Sequence, residues 1–228
     1  MSARVAVVLF PGSNCELDVA RSIEHLGGTA EIVFHGETDL RGADAVVIPG
    51  GFAHGDYLRT GAIARFSPVM EAVAAHARAG GPVVGICNGF QILTEAGLLP
   101  GALQKNAGLR FLCDVVEVRV VSTRSALTCS AERGAVLRIP INHFEGNYTC
   151  DAATLERLQA EDRVVMRYVD NPNGSLDDIA GICNEAGNVV GLMPHPERAS
   201  EAILGSVDGV VLLRSLLDAA TKGVRLPG

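Results

Sequence analysis

Gly85-Ile86-Cys87-Asn88-Gly89 joins the apolar residues 82–86 to a segment with helical spacing, residues 88–96. The pattern predicts a buried strand that passes through a tight turn directly into a helix. Glycines two positions before and after Cys87 let neighbouring backbone approach closely. The helix N-terminus favours negative charge and therefore a reactive thiolate. Cys87 is a candidate nucleophile, and its alternative is a buried structural cysteine.

The same alternation of strand and helix runs through the first hundred residues. The periodicity predicts strands at residues 5–9, 29–35, 45–49 and 82–86, and helices at residues 14–26, 68–79 and 88–96. Strands that alternate with helices indicate an α/β fold, with a mostly parallel central sheet and helices on both of its faces.

The second half of the chain has a different pattern. Strands are predicted at residues 111–121, 135–141, 164–169, 179–183 and 189–193, with helices at residues 152–159 and 207–219. Ala186-Gly187-Asn188 is a plausible hairpin turn between the last two strands, and Ser206 is the expected cap of the final helix. We expect a single domain over residues 1–228, with this mixed-strand portion inserted or appended.

Composition narrows the class of function. The net charge of −7 disfavours nucleic acid and anionic membrane surfaces as partners. No apolar run approaches the roughly 20 residues of a membrane span, and residues 5–10 are too short for a signal-peptide core. The six cysteines show no Cys-x-x-Cys spacing, and those other than Cys87 are expected to be buried or incidental thiols. These features predict a soluble cytoplasmic protein.

A base for the thiol is predicted in Met193-Pro194-His195-Pro196-Glu197-Arg198, which closes the last strand. Proline at 196 favours an extended backbone at His195, so that His195 and Glu197 would point the same way. A carboxylate beside an imidazole orients it as a base. The carboxyl ends of parallel strands share one sheet edge, where Cys87 and His195 can meet. The alternatives are a surface loop and a metal site, but the latter has no clear third ligand motif.

These residues carry a resemblance. Gly85-x-Cys87-x-Gly89 with Gln91, followed late in the chain by His195-Pro196-Glu197, resembles the class I (triad) glutamine amidotransferases, which have a flavodoxin-like fold. Residues 10–15, 49–59, 85–91, 173–175 and 191–198 resemble more closely the glutaminase subunits of phosphoribosylformylglycinamidine synthase. One segment departs from that pattern: Phe144 follows His143 where the family usually has glycine. The role of His143 is left open, and a turn at a strand end is favoured there.

The resemblance implies a site that hydrolyses glutamine to glutamate and ammonia through a cysteine thioester. Its expected members are the catalytic residues Cys87, His195 and Glu197, the oxyanion-binding backbone amides of Gly51 and Asn88, and substrate-binding Gln91. Glycines after a predicted strand can expose unobstructed N–H groups, which agrees with the role of Gly51. By spacing alone, Gln91 is equally well explained as a solvent-facing helix residue.

The resemblance also implies partners. Ammonia would pass along an enclosed path to a large synthetase subunit that uses ATP and Mg to amidate formylglycinamide ribonucleotide, with a third small subunit. No cofactor or metal is expected in this chain, which has no Gly-x4-Gly-Lys-Ser/Thr loop. Two alternatives remain: a cysteine hydrolase of the intracellular peptidase-like group, disfavoured by Asn88 after the cysteine, and a catalytically silent scaffold subunit.

Overall fold

The computed structural model describes residues 2–222 of the chain. Within that part the chain forms strands and α-helices in the following order: β1 (Arg4–Leu9), α1 (Glu16–His25), β2 (Thr29–Phe34), β3 (Ala45–Ile48), α2 (Val69–Arg78), β4 (Val83–Ile86), α3 (Asn88–Glu95), β5 (Ala102–Gln104), β6 (Leu112–Val120), β7 (Val136–His143), β8 (Asn147–Thr149), α4 (Ala152–Ala160), β9 (Val164–Tyr168), β10 (Ile179–Cys183), β11 (Val189–Leu192) and α5 (Val210–Lys222). Short 3-10 helices, among them Ala53–Asp56 and Pro196–Ala199, lie in the connections.

One nine-stranded sheet has the order β2-β1-β3-β4-β11-β10-β9-β6-β7. Strands β2, β1, β3, β4 and β11 run parallel, whereas β10, β9, β6 and β7 pair antiparallel. The predicted α/β sheet is therefore confirmed, and the mixed-strand portion continues the same sheet. Strands β5 and β8 form a separate two-stranded sheet. Sequence periodicity missed both, because three residues are too few to show alternation.

The burial of each strand follows its place in the sheet. Every residue of β3, β4 and β11 is buried, as central parallel strands covered on both faces require. Strand β7, at the far edge, instead alternates between more and less exposed positions. The connection from β1 leads to β2, at the edge of the sheet, whereas the connection from β3 leads to β4, toward the middle of the sheet. Right-handed crossovers therefore place α1 and α2 on opposite faces.

The sheet order brings three chain segments together. Strands β3, β4 and β11 are adjacent and parallel, so their carboxyl ends lie at one edge. Gly50-Gly51 follow β3, Cys87 follows β4, and Met193 to Glu197 follow β11. Helix α3 packs against all three strands. The candidate residues from distant parts of the sequence thus converge where ligands bind in α/β sheets.

One helix boundary differs from expectation. Helix α5 begins at Val210 rather than at residue 207, and Ser206 does not cap it. Instead, Ser206 Oγ accepts a hydrogen bond from the Asp208 amide at 3.1 Å, before the helix begins. A Cβ on Gly209 would lie 2.1 Å from the Pro196 carbonyl oxygen. Gly209, immediately before α5, therefore packs directly against the 3-10 helix at Pro196.

The single domain expected over residues 1–228 stays a prediction, because Met1 and residues 223–228 lie outside the described part. None of the helices within residues 2–222 is both long enough and apolar enough to cross a membrane.

Candidate active site

Cys87 occupies the turn between β4 and α3, with φ 51° and ψ −104°. Its N–H donates to the Leu192 carbonyl at 2.7 Å, and its carbonyl accepts from the amides of Phe90 and Gln91 at 3.0 and 3.2 Å. A non-glycine residue with positive φ is strained and persists only where its surroundings fix it. Hydrogen bonds to β11 and to the first turn of α3 provide that fixation. The predicted elbow is present.

The flanking glycines are needed for close backbone packing. A Cβ on Gly89 would lie 2.0 Å from the Ile48 carbonyl oxygen, and one on Gly85 would lie 2.5 Å from the Gly89 backbone. A side chain at Gly89 would keep α3 from approaching β3 so closely, and a side chain at Gly85 would keep β4 from approaching α3. The glycine spacing read from the sequence therefore has a steric cause.

His195 and Glu197 form a buried pair. His195 Nδ1 lies 2.6 Å from Glu197 Oε1, and the two residues are 1% and 2% exposed. His195 itself has the expected non-helical backbone, with φ −104° and ψ 86°, but the extension predicted beyond it is wrong. Pro196 starts a 3-10 helix, in which the Arg198 amide donates to the His195 carbonyl at 3.1 Å. Proline is well suited to a first helical position, which explains the difference. The turn at Pro196, and not an extended chain, therefore brings the side chains of His195 and Glu197 together.

The backbone of this pair is held from two sides. The His195 amide donates to the Pro140 carbonyl of β7 at 2.8 Å. The hydroxyls of Ser22 and Ser200 donate to the Glu197 carbonyl at 3.1 and 2.9 Å. Helix α1, strand β7 and the loop after β11 thus fix the imidazole and the carboxylate at the same time.

The surroundings of His195 favour its charged form. Burial opposes that charge, but Glu197 and Cys87 together outweigh it and hold the pKa of His195 well above its usual value. His195 Nε2 is buried and has no hydrogen-bond partner among the described residues. The Cys87 thiol donates weakly to the Asn142 carbonyl at 3.6 Å. An imidazolium beside the thiol is the arrangement that activates a cysteine nucleophile.

Cys15 lies beside the same pair, which the sequence did not reveal. Its Sγ, a ring nitrogen of His195 and a carboxylate oxygen of Glu197 lie within 4.8 Å of one another and could in principle hold a metal ion. However, Arg198 Nη2 donates to Cys15 Sγ at 3.2 Å, and this cation opposes a metal ion there. The hydrogen bond between His195 Nδ1 and Glu197 Oε1 also engages one possible ligand atom of each residue. The group fits an acid–base pair better than a metal centre.

Gly51 and Asn88 present two backbone N–H groups near the thiol. Among residues 2–222 neither amide has a hydrogen-bond acceptor in the protein. Gly51 has φ 150°, and a Cβ there would lie 2.7 Å from the Asn14 amide nitrogen. Gly51 lines the same cavity as Cys87, and Asn88 follows Cys87 directly. Both amides are available for an oxyanion, although that role stays a prediction.

The side chains of Asn88 and Gln91 hold the walls of the site. Asn88 Oδ1 accepts from the Ala53 amide at 3.0 Å, and its Nδ2 donates to Gln91 Oε1 at 2.8 Å and to Asp56 Oδ1 at 3.4 Å. Gln91 Nε2 donates to the Glu145 carbonyl at 2.5 Å. At 4% exposure Gln91 is not a solvent-facing residue. Both ends of its amide bind protein groups, so it organises the cavity, while substrate binding by Gln91 stays a prediction.

A cavity of about 340 Å³ lies over Cys87, within the size range of small-molecule sites. Its walls come from the loop after β3, the first turn of α3, residues 142–145 and Lys105. Asp56 and Glu145 both line it. The pKa of Asp56 is raised to about 6, mainly by burial and to a lesser extent by the negative charge of the neighbouring Glu145. Asp56 lies in the stretch 49–59 that carries the family resemblance, and Glu145 follows His143 and Phe144. The sequence did not predict that the two carboxylates line one cavity, because they come from separate loops.

His143 lies at the end of β7 and lines this cavity. Its Nδ1 is 3.1 Å from Asn106 Oδ1, and burial lowers its pKa to about 4. A Cβ on Gly146 would lie 2.3 Å from the His143 ring. Phe144 does not adopt a positive φ, so it replaces the family's glycine without backbone strain. The segment is thus part of the site wall, beyond the simple turn that the sequence favoured.

Comparisons with known proteins agree with this geometry. A family model described as the CobB/CobQ-like glutamine amidotransferase domain matches residues 2–208. The phosphoribosylformylglycinamidine synthase subunit PurQ of Rubrobacter xylanophilus is 57% identical over 217 residues, which cover 95% of this chain and 99% of the relative. The subunit of the same name from Koribacter versatilis is 52% identical over 229 residues, covering 96% and 99%. The solved structure of PurLQS from Thermotoga maritima has a chain with TM-score 0.88 and 41% identity, covering 96% of this chain and 99% of that one.

The chain is a glutamine amidotransferase by class. The cysteine elbow at the sheet edge and the match to the family model both support this. The identity to the PurQ subunits extends over nearly the whole chain. The chain therefore belongs to the PurQ family of phosphoribosylformylglycinamidine synthase subunits.

Proposed function

We propose that this chain is the glutaminase subunit of a phosphoribosylformylglycinamidine synthase. It hydrolyses glutamine to glutamate and ammonia through a thioester on Cys87. The ammonia passes to an ATP-dependent synthetase subunit, which amidates formylglycinamide ribonucleotide in purine biosynthesis. Family membership and the geometry around Cys87 support this function.

The first half-reaction forms the thioester. His195 Nε2 takes the thiol proton of Cys87. The Cys87 sulfur then attacks the side-chain amide carbon of glutamine, and the amide carbonyl oxygen becomes an oxyanion held by the N–H groups of Gly51 and Asn88. His195, protonated at Nε2 and oriented by Glu197, gives a proton to the amide nitrogen. The carbon–nitrogen bond then breaks and ammonia leaves. Each oxyanion donor contributes roughly 100- to 1,000-fold to the rate in comparable sites.

The second half-reaction releases glutamate. His195, now neutral, takes a proton from water, and the resulting hydroxide attacks the thioester carbon. The same two N–H groups hold the second oxyanion, and the carbon–sulfur bond breaks to return the Cys87 thiolate. Glu197 stays ionised throughout and stabilises the imidazolium. No metal or cofactor in this chain takes part in either step.

The hydrogen bond of 2.6 Å between His195 Nδ1 and Glu197 Oε1, buried beside the elbow at Cys87, carries this proposal. It fixes the tautomer that leaves Nε2 facing outward from the pair for proton transfer. A scaffold without catalysis would have no use for a strained cysteine next to a buried imidazole and carboxylate.

The proposed function requires two partner subunits. The large synthetase subunit holds ATP and Mg, and a third small subunit completes the complex, in line with the PurLQS assembly named for the Thermotoga maritima structure. The chain acts as a single domain in the cytoplasm, where a reactive thiol stays reduced. It binds glutamine and needs neither nucleic acid nor membrane.

Glutamate release from glutamine tests the proposal, with wild type and Cys87→Ala assayed alone and with the synthetase, ATP and formylglycinamide ribonucleotide. The matched control is Cys113→Ala, because Cys113 is exposed and does not line the cavity over Cys87. We expect turnover that requires Cys87, is retained in the control and rises with the loaded partner. Full turnover in Cys87→Ala would overturn the mechanism. Turnover indifferent to the partner would assign the chain to another ammonia-using reaction.

A further inference from the structure

A buried cysteine that the thioester chemistry does not use lies beside the pair of His195 and Glu197. Cys15 is 2% exposed and directly precedes helix α1. Its amide donates to the Gly50 carbonyl at 3.2 Å, which ties it to the segment that leads into Gly51. A Cβ on Gly50 would lie 3.2 Å from Cys15 Sγ and 2.6 Å from His195 Cε1. The sulfur and the imidazole therefore pack against the same glycine.

Glu197 alone leaves the imidazole of His195 incompletely restrained. One hydrogen bond, between His195 Nδ1 and Glu197 Oε1, joins the two side chains. The second carboxylate oxygen, Glu197 Oε2, is buried and has no hydrogen-bond partner within residues 2–222. A single bond of this kind sets a distance but allows the ring and the carboxylate to pivot about it. Because a displacement of about 1 Å can cost roughly 100-fold in rate, a further contact on the ring affects catalysis directly.

Arg198 holds the Cys15 sulfur in place. Its Nη2 donates to Cys15 Sγ at 3.2 Å, and the sulfur is the acceptor because a guanidinium has none. Arg198 Nε lies 3.6 Å from Asp18 Oδ2, in the first turn of α1. Arg198 also belongs to the 3-10 helix Pro196–Ala199, which carries Glu197. Asp18, Arg198 and Cys15 therefore link the start of α1 to the turn that holds the catalytic carboxylate.

The sulfur is close to both members of the pair. Cys15 Sγ, a ring nitrogen of His195 and a carboxylate oxygen of Glu197 lie within 4.8 Å of one another. Burial lowers the pKa of His195, Glu197 and Cys87 raise it, and the contact with Cys15 adds to the rise. The position of the imidazole and its charge thus both depend on where the sulfur lies.

We propose that Cys15 and Arg198 are positioning residues of the glutaminase site. Arg198 holds the Cys15 sulfur beside the His195 imidazole, and the sulfur limits the rotation of the ring while it exchanges protons with Cys87 and the substrate. This inference rests on the proposed glutaminase function. Neither Cys15 nor Arg198 lines the cavity over Cys87, so both act through His195.

Single and double substitutions test this assignment. In the complex with the synthetase, kcat and KM for glutamine are measured for wild type, Cys15→Ala, Cys15→Ser, Arg198→Met and the double variant of Cys15→Ala with Arg198→Met. We expect kcat to fall roughly 10- to 100-fold in Cys15→Ala and in Arg198→Met, with KM little changed. The double variant should lose no more than either single variant, because Arg198 acts through the sulfur. Cys15→Ser should retain more of kcat than Cys15→Ala, since its hydroxyl can accept from Arg198.

The matched control is Cys183→Ala. Cys183 is also fully buried, but it lies in β10, where Arg163 Nε donates to its carbonyl at 3.1 Å. Removal of its sulfur should lower the free energy of unfolding and leave kcat at the wild-type value. Loss of a buried thiol is thereby separated from loss of the contact with His195.

Unchanged kcat in both Cys15→Ala and Arg198→Met would overturn the proposal, as would losses that multiply in the double variant or a loss confined to KM. Should Cys15→Ala fail to fold, Arg198→Lys and Arg198→Met carry the test, because a lysine can still donate to the sulfur. Arg198→Lys must then retain more of kcat, and equal kcat in the two variants overturns the proposal. Failure of the glutaminase function itself is separate, because wild type would then release no glutamate.

Discussion

Cys87 shows how a single residue can be reactive and buried at once. Its φ of 51° is strained, its side chain is only 4% exposed, and its amide and carbonyl are both hydrogen-bonded. Beside it, His195 lies 2.6 Å from Glu197 and is kept charged by its two acidic neighbours. The Cys87 sulfur therefore faces the His195 imidazolium away from bulk solvent. The low dielectric of these surroundings strengthens the electrostatic interaction between the two groups.

At this scale, the first prediction concerns Glu197→Gln. The neutral amide no longer stabilises the imidazolium, so the raised pKa of His195 should fall. The high-pH limb of the activity profile, where the imidazolium loses its proton, should move to lower pH, and kcat should fall by roughly 100- to 10,000-fold. The pH dependence of glutamate release measures both effects. The control is Glu201→Gln, at an exposed position of the same loop; an unshifted limb in Glu197→Gln would contradict the assigned role.

The second prediction concerns the stability of the fold near Asp56. Burial and Glu145 raise the pKa of this carboxyl from 3.8 to about 6. Between these values the folded chain binds more protons than the unfolded chain, so the free energy of unfolding should fall as pH rises through this window and then level off. Asp56→Asn should remove this part of the decline, as measured by urea unfolding from about pH 4 to about pH 7.

The matched control is Asp170→Asn, because Asp170 is exposed. It should keep the wild-type pH dependence. Identical pH dependence of the free energy of unfolding in wild type and Asp56→Asn would show that Asp56 titrates normally in the folded chain.

At the scale of elements, the junction of β4 and α3 depends on close backbone packing. Gly85 and Gly89 have no room for a Cβ, and the latter would collide with the Ile48 carbonyl oxygen of β3 at 2.0 Å. The first turn of α3 also supplies Asn88 and Gln91, which hold the loop after β3 and the loop after β7. One helical turn thus determines the position of the nucleophile and of both cavity walls.

The third prediction is that Gly89→Ala destabilises the protein by about 1–3 kcal/mol, the range for overpacking a filled interior. The free energy of unfolding in urea measures this effect. Gly108→Ala is the control, because a Cβ there would meet nothing within 4 Å and Gly108 does not adopt a positive φ. Equal stability of the two variants would mean that α3 can move away from β3 without cost.

At the scale of the whole molecule, the sheet order assembles the site. Strands β3, β4 and β11 are neighbours although β11 lies about a hundred residues beyond β4 in the chain. The antiparallel strands beyond them bring β7 and its last residue, His143, to the same cavity. The product of this site is proposed to serve another subunit, so activity has to be examined in the complex.

The fourth prediction separates the production of ammonia from its use. In the complex, Cys87→Ala should abolish amidation of formylglycinamide ribonucleotide with glutamine as the donor, since no thioester can form. Amidation with added ammonium should continue, because the proposed function assigns that step to the synthetase subunit. Product formation with each nitrogen source is the measurement, and Cys113→Ala should support both reactions. Loss of the ammonium-dependent reaction in Cys87→Ala would mean that Cys87 also supports the assembly.

Much of the fold could be predicted from short-range patterns in the sequence. The strands and helices around Cys87 follow from short-range periodicity, and the elbow follows from glycine spacing, because both are properties of adjacent residues. The sequence did not predict the backbone after His195, where proline starts a 3-10 helix instead of extending the chain. It also missed β5 and β8, whose three residues each show no period.

The sequence by itself determined the α/β class, the elbow at Cys87 and the pairing of His195 with Glu197, since each depends on residues close together in the chain. Only the tertiary structure placed Cys15 beside that pair and Asp56 opposite Glu145. These neighbours come from different loops, and their proximity depends on strand order and helix packing. Periodicity along a chain carries no information about such distances, because it describes one element at a time.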